Sequence, residues 1–173
     1  MRDKLRKRYQ VQKEMTQSGR FEGEIPLADM KRLQEMLYLE DADQQQRKIS
    51  VKFEFLRSEF DIPMLKGHLQ TNLALECQRC LQPLEMPLEQ GFSLLIDASD
   101  EIVQHGSQDT LYSDDGWIDI VEVVEDELIL AIPLVAMHEN RACNSNWQAS
   151  AITAEPARKE NPFAVLQQLK TTD

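Results

Sequence analysis

The chain of 173 residues is long enough for one domain of ordinary size. Its net charge of −11 argues against general binding of nucleic acid, because an acidic protein surface repels phosphate. No run approaches the roughly twenty apolar residues of a membrane span, and no apolar stretch follows the basic start as in a secretory signal. Three cysteines, two of them in one Cys-x-x-Cys, fit a reducing compartment. We therefore expect a cytoplasmic protein without a membrane partner.

The charge is distributed unevenly along the chain. Residues 1–20 hold seven Lys and Arg against two acids, which leaves 12 basic and 28 acidic residues for the rest. We predict that 1–20 is a basic arm, flexible or helical only in context, and a plain terminal tail is the alternative. Such an arm could contact RNA phosphates. The candidate RNA-binding residues are Arg2, Lys4, Arg6, Lys7, Arg8 and Arg79.

The first elements after the arm predict a sheet with one covered face. Residues 21–25 read as a short strand, and 27–39 as a helix whose apolar side chains recur every three or four positions. In 49–56, apolar and polar residues alternate as in an amphipathic strand. Strands 65–76 and 84–96 follow, so the sequence predicts an antiparallel meander.

The last two strands of this meander enclose a Cys-x-x-Cys at residues 77–80. Two thiols three apart at a tight turn can point at one ion, and a tetrahedral ion needs two more ligands. His138 and Cys143 are the obvious second half, so the predicted zinc ligands are Cys77, Cys80, His138 and Cys143. The alternative is three reduced structural thiols and an unliganded surface histidine.

Beyond the hairpin we predict an acidic loop near 97–116 and a helix over 119–131. Asp119 is the predicted N-cap of this helix, with Glu122 as its capping-box partner. A final helix over 162–170 has the apolar stripe of a docking segment, or of an ordinary packed helix. The acids of the helix over 119–131 would suit a basic protein partner, although charge runs are usually solvated faces. The candidate partner-binding residues are Glu122, Glu125, Asp126, Glu127, Phe163 and Leu166.

Catalytic constellations are missing from the sequence. We find no Ser-His-Asp context and no glycine-rich phosphate loop. A thiol–disulfide enzyme remains an alternative, but its Cys-x-x-Cys would ordinarily open a helix, and here the pair follows a strand. The sequence therefore predicts a protein that is not an enzyme and has no small-molecule substrate.

Three motifs in order, residues 75–80 (LECQRC), 124–133 (VEDELILAIP) and 161–166 (NPFAVL), resemble the YceD family. The resemblance implies a role in synthesis, processing or stability of large-subunit ribosomal RNA. It implies as partner that RNA or a precursor particle, contacted directly or through a basic ribosomal protein. Some relatives carry a fuller cysteine set, which favours zinc, whereas this chain offers only His138 and Cys143 there.

Together these features predict a single α+β domain over 21–173, preceded by the arm. Its antiparallel sheet is a meander with a Cys-x-x-Cys-tipped hairpin, packed by about three helices. The function we expect is a non-catalytic factor in the accumulation of large-subunit ribosomal RNA. Direct RNA binding through the arm is the first alternative, and a thiol–disulfide redox protein the second.

Overall fold

The computed structural model of the chain describes residues 5–17, 19–38, 46–59, 61–97, 109–113, 115–140 and 143. The chain divides into two units, residues 1–139 and 140–173. Asn140 and Cys143 are the described residues of the second unit. The helices and strands of the described residues all lie in the first unit.

Five strands form the main sheet, in the order β2-β3-β4-β5-β6. Strands β2 to β5 are an antiparallel meander and β6 adds to β5 in parallel, while β1 and β7 form a separate antiparallel pair. The α+β architecture predicted from the sequence is confirmed. The strands are β1 (Arg8–Gln10), β2 (Arg20–Pro26), β3 (Lys48–Arg57), β4 (Pro63–Glu76), β5 (Pro83–Asp97), β6 (Thr110–Tyr112) and β7 (Trp117–Asp119). The helices are α1 (Val11–Gln17), α2 (Lys31–Gln34) and α3 (Ile120–Ala131), with a 3₁₀ turn at Leu27–Asp29.

Alternation of apolar and charged residues gives this sheet one buried and one solvated face. In β3 the buried positions are Ile49, Val51, Phe53 and Phe55, and the intervening side chains point to water. On the solvated face, opposite charges pair across neighbouring strands, as such cross-strand neighbours favour. These ion pairs are Lys48–Glu24, Lys52–Glu22 and Arg20–Glu54, and His68 shares a hydrogen bond of 2.9 Å with Glu89 on the same face.

The helix predicted over 27–39 is wrong in length. Residues 27–29 form the 3₁₀ turn, and α2 spans only Lys31–Gln34. Met30 breaks the run because its backbone lies at φ −110°, ψ 83°, outside the helical region. The apolar stripe is nevertheless buried as its spacing suggested, since every member packs in the core: Leu27, Met30, Leu33 and Leu37.

Helix α3 closely matches its prediction. Its N-cap Asp119 accepts hydrogen bonds from the amides of Val121 (3.0 Å) and Glu122 (3.4 Å). The buried apolar side chains of α3, Val124 and Leu128 among them, belong to the core cluster. Among the described residues, no helix has the length and apolar character needed to cross a membrane.

The segment predicted as a basic arm contains ordered elements over residues 8–17. Strand β1 pairs with β7, and Tyr9 in its centre is buried. The Tyr9 ring lies 4.7 Å from Phe21 and 5.2 Å from Phe53, centroid to centroid. One aromatic anchor among charged neighbours gives no periodicity, which is why the sequence pattern predicted a basic arm and no strand here.

Two predicted elements lie largely outside the described residues. Within 97–116, the described part includes β6, which adds to the main sheet. The predicted helix over 162–170, with Phe163 and Leu166, falls entirely outside.

Candidate metal centre

The tip of the β4–β5 hairpin is a tight turn that carries two thiols. The Cys77 amide donates to the Gln82 carbonyl at 3.0 Å, and the Leu81 amide donates to the Cys77 carbonyl at 2.8 Å. Leu81 lies at φ +60°, a left-handed conformation that normally favours glycine. The surrounding hydrogen bonds hold this strained residue, so the turn brings Cys80 back toward Cys77.

The segment after α3 is tied to this tip by hydrogen bonds to one residue. The Gln78 amide donates to the Ala136 carbonyl, and the Gln78 side chain donates to the Leu134 carbonyl, both at 2.9 Å. These bonds place His138 beside the thiols. Its amide lies 3.5 Å from the Cys77 sulfur, and its Nδ1 lies 3.4 Å from the Cys80 sulfur.

The tautomer of His138 follows from its other nitrogen. Nε2 lies 3.2 Å from the Pro83 carbonyl oxygen, which can only accept, so Nε2 carries the proton. In the neutral imidazole, the lone pair of Nδ1 then lies toward the Cys80 sulfur. Metal-bound histidines typically donate their second nitrogen to a carbonyl or carboxylate in this way.

The distances among these side chains suit a tetrahedral ion. The ligand atoms of Cys77, Cys80 and His138 all lie within 4.8 Å of one another. Zinc bonds of about 2.3 Å to sulfur and about 2.0 Å to nitrogen put neighbouring ligand atoms roughly 3.5–3.8 Å apart in a tetrahedron. The 3.4 Å between Nδ1 and the Cys80 sulfur is close to that spacing.

The electrostatics around Cys77 favour its thiolate. Burial opposes ionisation, but hydrogen bonds from the amides of His138, Arg79 and Cys80 and from the Cys80 thiol outweigh burial, and the pKa of Cys77 falls to about 5. A thiolate is the form that binds metal and also the form that attacks disulfides. The charge alone is therefore consistent with both chemistries.

The fourth predicted ligand, Cys143, belongs to the second unit. Within that unit its amide donates to the Asn140 carbonyl at 3.2 Å. It follows His138 by five positions in the sequence. Its thiol is the donor that the sequence prediction adds to Cys77, Cys80 and His138 as a fourth ligand.

The described cations among the predicted RNA-binding residues all contact groups of the fold, while Arg2 and Lys4 lie outside the described residues. Such contacts leave these side chains less free than a flexible arm would. The Arg6 guanidinium is 2.7 Å from Glu14 and 4.6 Å from the Tyr9 ring centre, Lys7 is 3.5 Å from Asp119, Arg8 is 2.7 Å from Asp115, and Arg79 is 3.5 Å from the Met137 sulfur.

The predicted partner-binding acids of α3 occupy different environments. Glu125 is buried and accepts hydrogen bonds from the amides of Arg32 (2.7 Å) and Leu33 (3.1 Å), so it serves the fold. Asp126 is exposed and pairs with the Arg32 guanidinium at 2.7 Å. Glu122 is exposed. Burial and repulsion from Asp109 and Asp126 raise the pKa of Glu127.

The sequence reasoning missed the groups that hold His138 in place. They are the Pro83 carbonyl, the Gln78 side chain and the amides that bond the Cys77 sulfur. Backbone groups leave no signal in a residue pattern. Gln78 lies inside the Cys-x-x-Cys motif, but the hydrogen bond from its side chain to the Leu134 carbonyl depends on tertiary structure.

Comparison with known proteins places this hairpin in a family. The family model described as "Large ribosomal RNA subunit accumulation protein YceD" matches residues 65–170, more than half of the chain. A protein of that name from Haemophilus influenzae is 39% identical over 114 residues, a match that covers 62% of this chain and 65% of the relative. No solved structure matches the chain. The matched region contains the Cys-x-x-Cys hairpin, α3 and His138, and the chain belongs to the YceD family.

Proposed function

We propose that the chain is a non-catalytic cytoplasmic factor that supports the accumulation of large-subunit ribosomal RNA. The observation that carries the proposal is the family match, which spans β4, β5 and α3. The Haemophilus influenzae relative bears that function in its name. The contribution would be to synthesis, processing or stability of the RNA rather than to a chemical step of its own.

The proposed structural cofactor is one zinc ion, held by Cys77, Cys80, His138 and Cys143. The first three already converge, the His138 tautomer presents Nδ1, and Cys77 favours its thiolate. A fourth thiol from Cys143 would give the closed set typical of structural zinc. When bound, the ion would crosslink the hairpin tip to the segment after α3.

Metal content tests this part of the proposal. The full chain, purified without added metal or chelator, should contain about one zinc ion per chain when measured by elemental mass spectrometry. Cys80→Ser and Cys143→Ser should each lose most of it. The control is His68→Gln, because His68 pairs with Glu89 on the solvated sheet face. Zinc-free protein whose thiols react equally fast with and without chelator would contradict the site.

The proposed partner is a basic ribosomal protein or a precursor particle that contains one. Arg6, Lys7 and Arg8 contact acids of the fold, so the alternative of direct RNA binding through these three residues has less support. Ultraviolet crosslinking in growing cells separates the two. Large-subunit RNA crosslinked to the chain, and lost on replacing Arg6 and Arg8 with Gln, would favour direct binding.

The thiol–disulfide alternative draws on the low pKa of Cys77. A redox protein would show fast alkylation of that thiol near neutral pH without chelator. A zinc protein would show slow alkylation that accelerates when the metal is removed. The same metal-content sample can be used for this measurement.

The cellular function is tested by removing the gene and measuring the ratio of large- to small-subunit ribosomal RNA. We expect the ratio to fall and the full chain to restore it. An unchanged ratio, under conditions in which the chain is normally produced, would refute the proposed function.

A further inference from the structure

Five large apolar side chains of the hairpin tip, of α3 and of the segment after α3 are exposed. Leu134 is 96% exposed and Leu130 is 79% exposed, and three more large apolar residues near them are also open to water. Exposed apolar clusters of this kind mark interaction surfaces more often than scattered single residues do. The apolar patch consists of Leu81, Leu130, Leu134, Val135 and Met137.

The patch is held by the hydrogen bonds that also hold His138. The carbonyls of Leu134 and Ala136 accept from Gln78, and Arg79 contacts the Met137 sulfur. The side chains of 134–137 are therefore displayed on a backbone tied to the tip. A surface that is organised before binding loses less entropy when a partner docks.

A cavity of about 710 Å³ continues from the patch. It has room for one or two large side chains of a partner, as hot-spot residues require. Its apolar lining includes Leu130 and Leu134 from the patch. The other large apolar side chains that line it are Met36, Leu75, Ile129 and Ile132.

Acidic side chains adjoin the patch and the cavity, and Arg79, which contacts the Met137 sulfur, is a cation at the edge of the patch. The chain has no Lys or Arg from 81 to 140, the stretch that supplies all five patch residues. Glu76 lines the cavity, and none of the described residues that line it is Lys or Arg. Glu127 lies three residues before Leu130, on the same side of α3, and faces Asp109 and Asp126.

We propose that the apolar patch and its cavity bind an apolar segment of a partner protein that is flanked by Lys or Arg side chains. The inference rests on the proposed function and deepens it, because it assigns the docking surface for a basic protein. Apolar side chains would fill the cavity, and the flanking cations would meet Glu76 and Glu127. Buried apolar contacts would supply affinity, and the charges would supply specificity and a faster encounter.

Charge complementarity decides between possible occupants. A second copy of the chain would bring one acidic surface against another, and RNA would bring phosphates to it. Residues 157–170 place Arg158, Lys159 and Lys170 around an apolar run, so the chain's own C-terminal segment would also bring cations to the surface. A cationic, apolar partner segment satisfies both features of the surface, and the test below separates it from the chain's own segment.

The test uses the full chain and two fluorescent synthetic peptides with leucines at helical spacing. One peptide has lysines at the remaining positions and the other has glutamates. By fluorescence anisotropy, we expect the lysine peptide to bind at least about tenfold more tightly. Leu134→Ser should weaken its binding by about tenfold, because one fully exposed leucine then no longer becomes buried.

Two further variants sharpen the measurement. Glu127→Gln should weaken lysine-peptide binding and make it less dependent on salt. Tyr112→Ser is the matched control, since Tyr112 is also an exposed large side chain but lies on β6. It should leave binding unchanged. Circular dichroism of each variant verifies that it is folded.

Several outcomes would overturn the assignment. Equal binding of both peptides, or no effect of Leu134→Ser, would remove the docking surface. A dimer in sedimentation that Leu134→Ser dissociates would give the patch to a second copy. Tighter peptide binding after Phe163→Ser would give it to residues 161–170. Failure of any of these leaves the ribosomal RNA ratio as a separate readout, so the docking surface and the proposed function can fail independently.

Discussion

Replacing Glu125 by alanine should destabilise the chain severely, although the residue belongs to a cluster that looks solvent-facing in sequence. Its Oε1 accepts hydrogen bonds from the amides of Arg32 and Leu33, which begin α2. Helix α2 has no side-chain cap of its own, so Glu125 provides this cap from α3. The two helices are joined through one buried carboxylate.

The size of the effect follows from those two amides. Leu33 is buried, so its amide would lose its acceptor without gaining water, a cost of about 1–3 kcal/mol. The lost bond from the Arg32 amide to a charged acceptor adds about 1.5 kcal/mol, for a total of roughly 2.5–4.5 kcal/mol. We expect urea unfolding of Glu125→Ala, followed by circular dichroism, to show this loss. The thermal midpoint should fall by roughly 5–18 °C in a chain of this length.

Asp126→Ala is the matched control, because Asp126 neighbours Glu125 but is exposed and pairs with an exposed guanidinium. It should change stability far less, as surface ion pairs usually do. A Glu125→Ala variant within about 0.5 kcal/mol of the original chain would refute the capping role, since such a value is typical of surface sites.

The pH dependence of the same site is a second prediction. Burial opposes the charge of Glu125, but hydrogen bonds from the Leu33 amide and from Arg32 outweigh it and lower the pKa of this carboxyl. A lowered pKa in the folded state stabilises the fold above the ordinary value of 4.5 and loses this effect as the pH falls through the lowered pKa. The stability difference between the original chain and Glu125→Gln should therefore shrink below about pH 4.5. A difference that stays constant from neutral to acid pH would contradict the assigned cause.

Two further substitutions test the packing of the sheet, both by urea unfolding. Tyr9→Ala should lower the free energy of unfolding by about 3–5 kcal/mol, because a buried ring is removed. Gln10→Ala, at an exposed position of the same strand, should leave it nearly unchanged. Equal effects of the two substitutions would show that β1 does not anchor the N-terminal segment. Gly67→Ala should cost about 1–3 kcal/mol, because its new Cβ would lie 2.2 Å from the Phe92 ring. Gly91→Ala is its control, since the nearest atom there is 3.9 Å away, and a similar loss in both would refute the close-packing argument.

The meander could be read from the sequence because each long strand has one covered face. A period of two then appears over many residues, and the predicted strands agree with β2 to β5 within two residues at each end. Strands β1 and β7 have three residues each and pair across almost the whole described chain. Such short, distant partners leave no period, and only tertiary packing of Tyr9 specifies them.

The metal centre was predictable in part for a related reason. A Cys-x-x-Cys at a hairpin tip fixes its own geometry locally, so donor types and spacing were informative. The orientation of His138 depends on the Pro83 carbonyl and on Gln78, which residue types alone do not reveal. The capping role of Glu125 was hidden for the same reason, because its partners lie in α2, far away in sequence.

The net charge of −11 therefore says less about binding than its distribution over the fold does. Acids on the solvated sheet face are paired with cations of neighbouring strands, and Glu125 is buried and caps α2. Reversing Glu125 together with its neighbours would also remove the cap of α2, so a loss of binding could not be assigned to recognition alone. Glu127 instead faces other acids next to the apolar patch, so a partner cation would relieve existing repulsion there. Substitution at Glu127 with Glu125 left intact is thus the change that can separate lost recognition from lost structure.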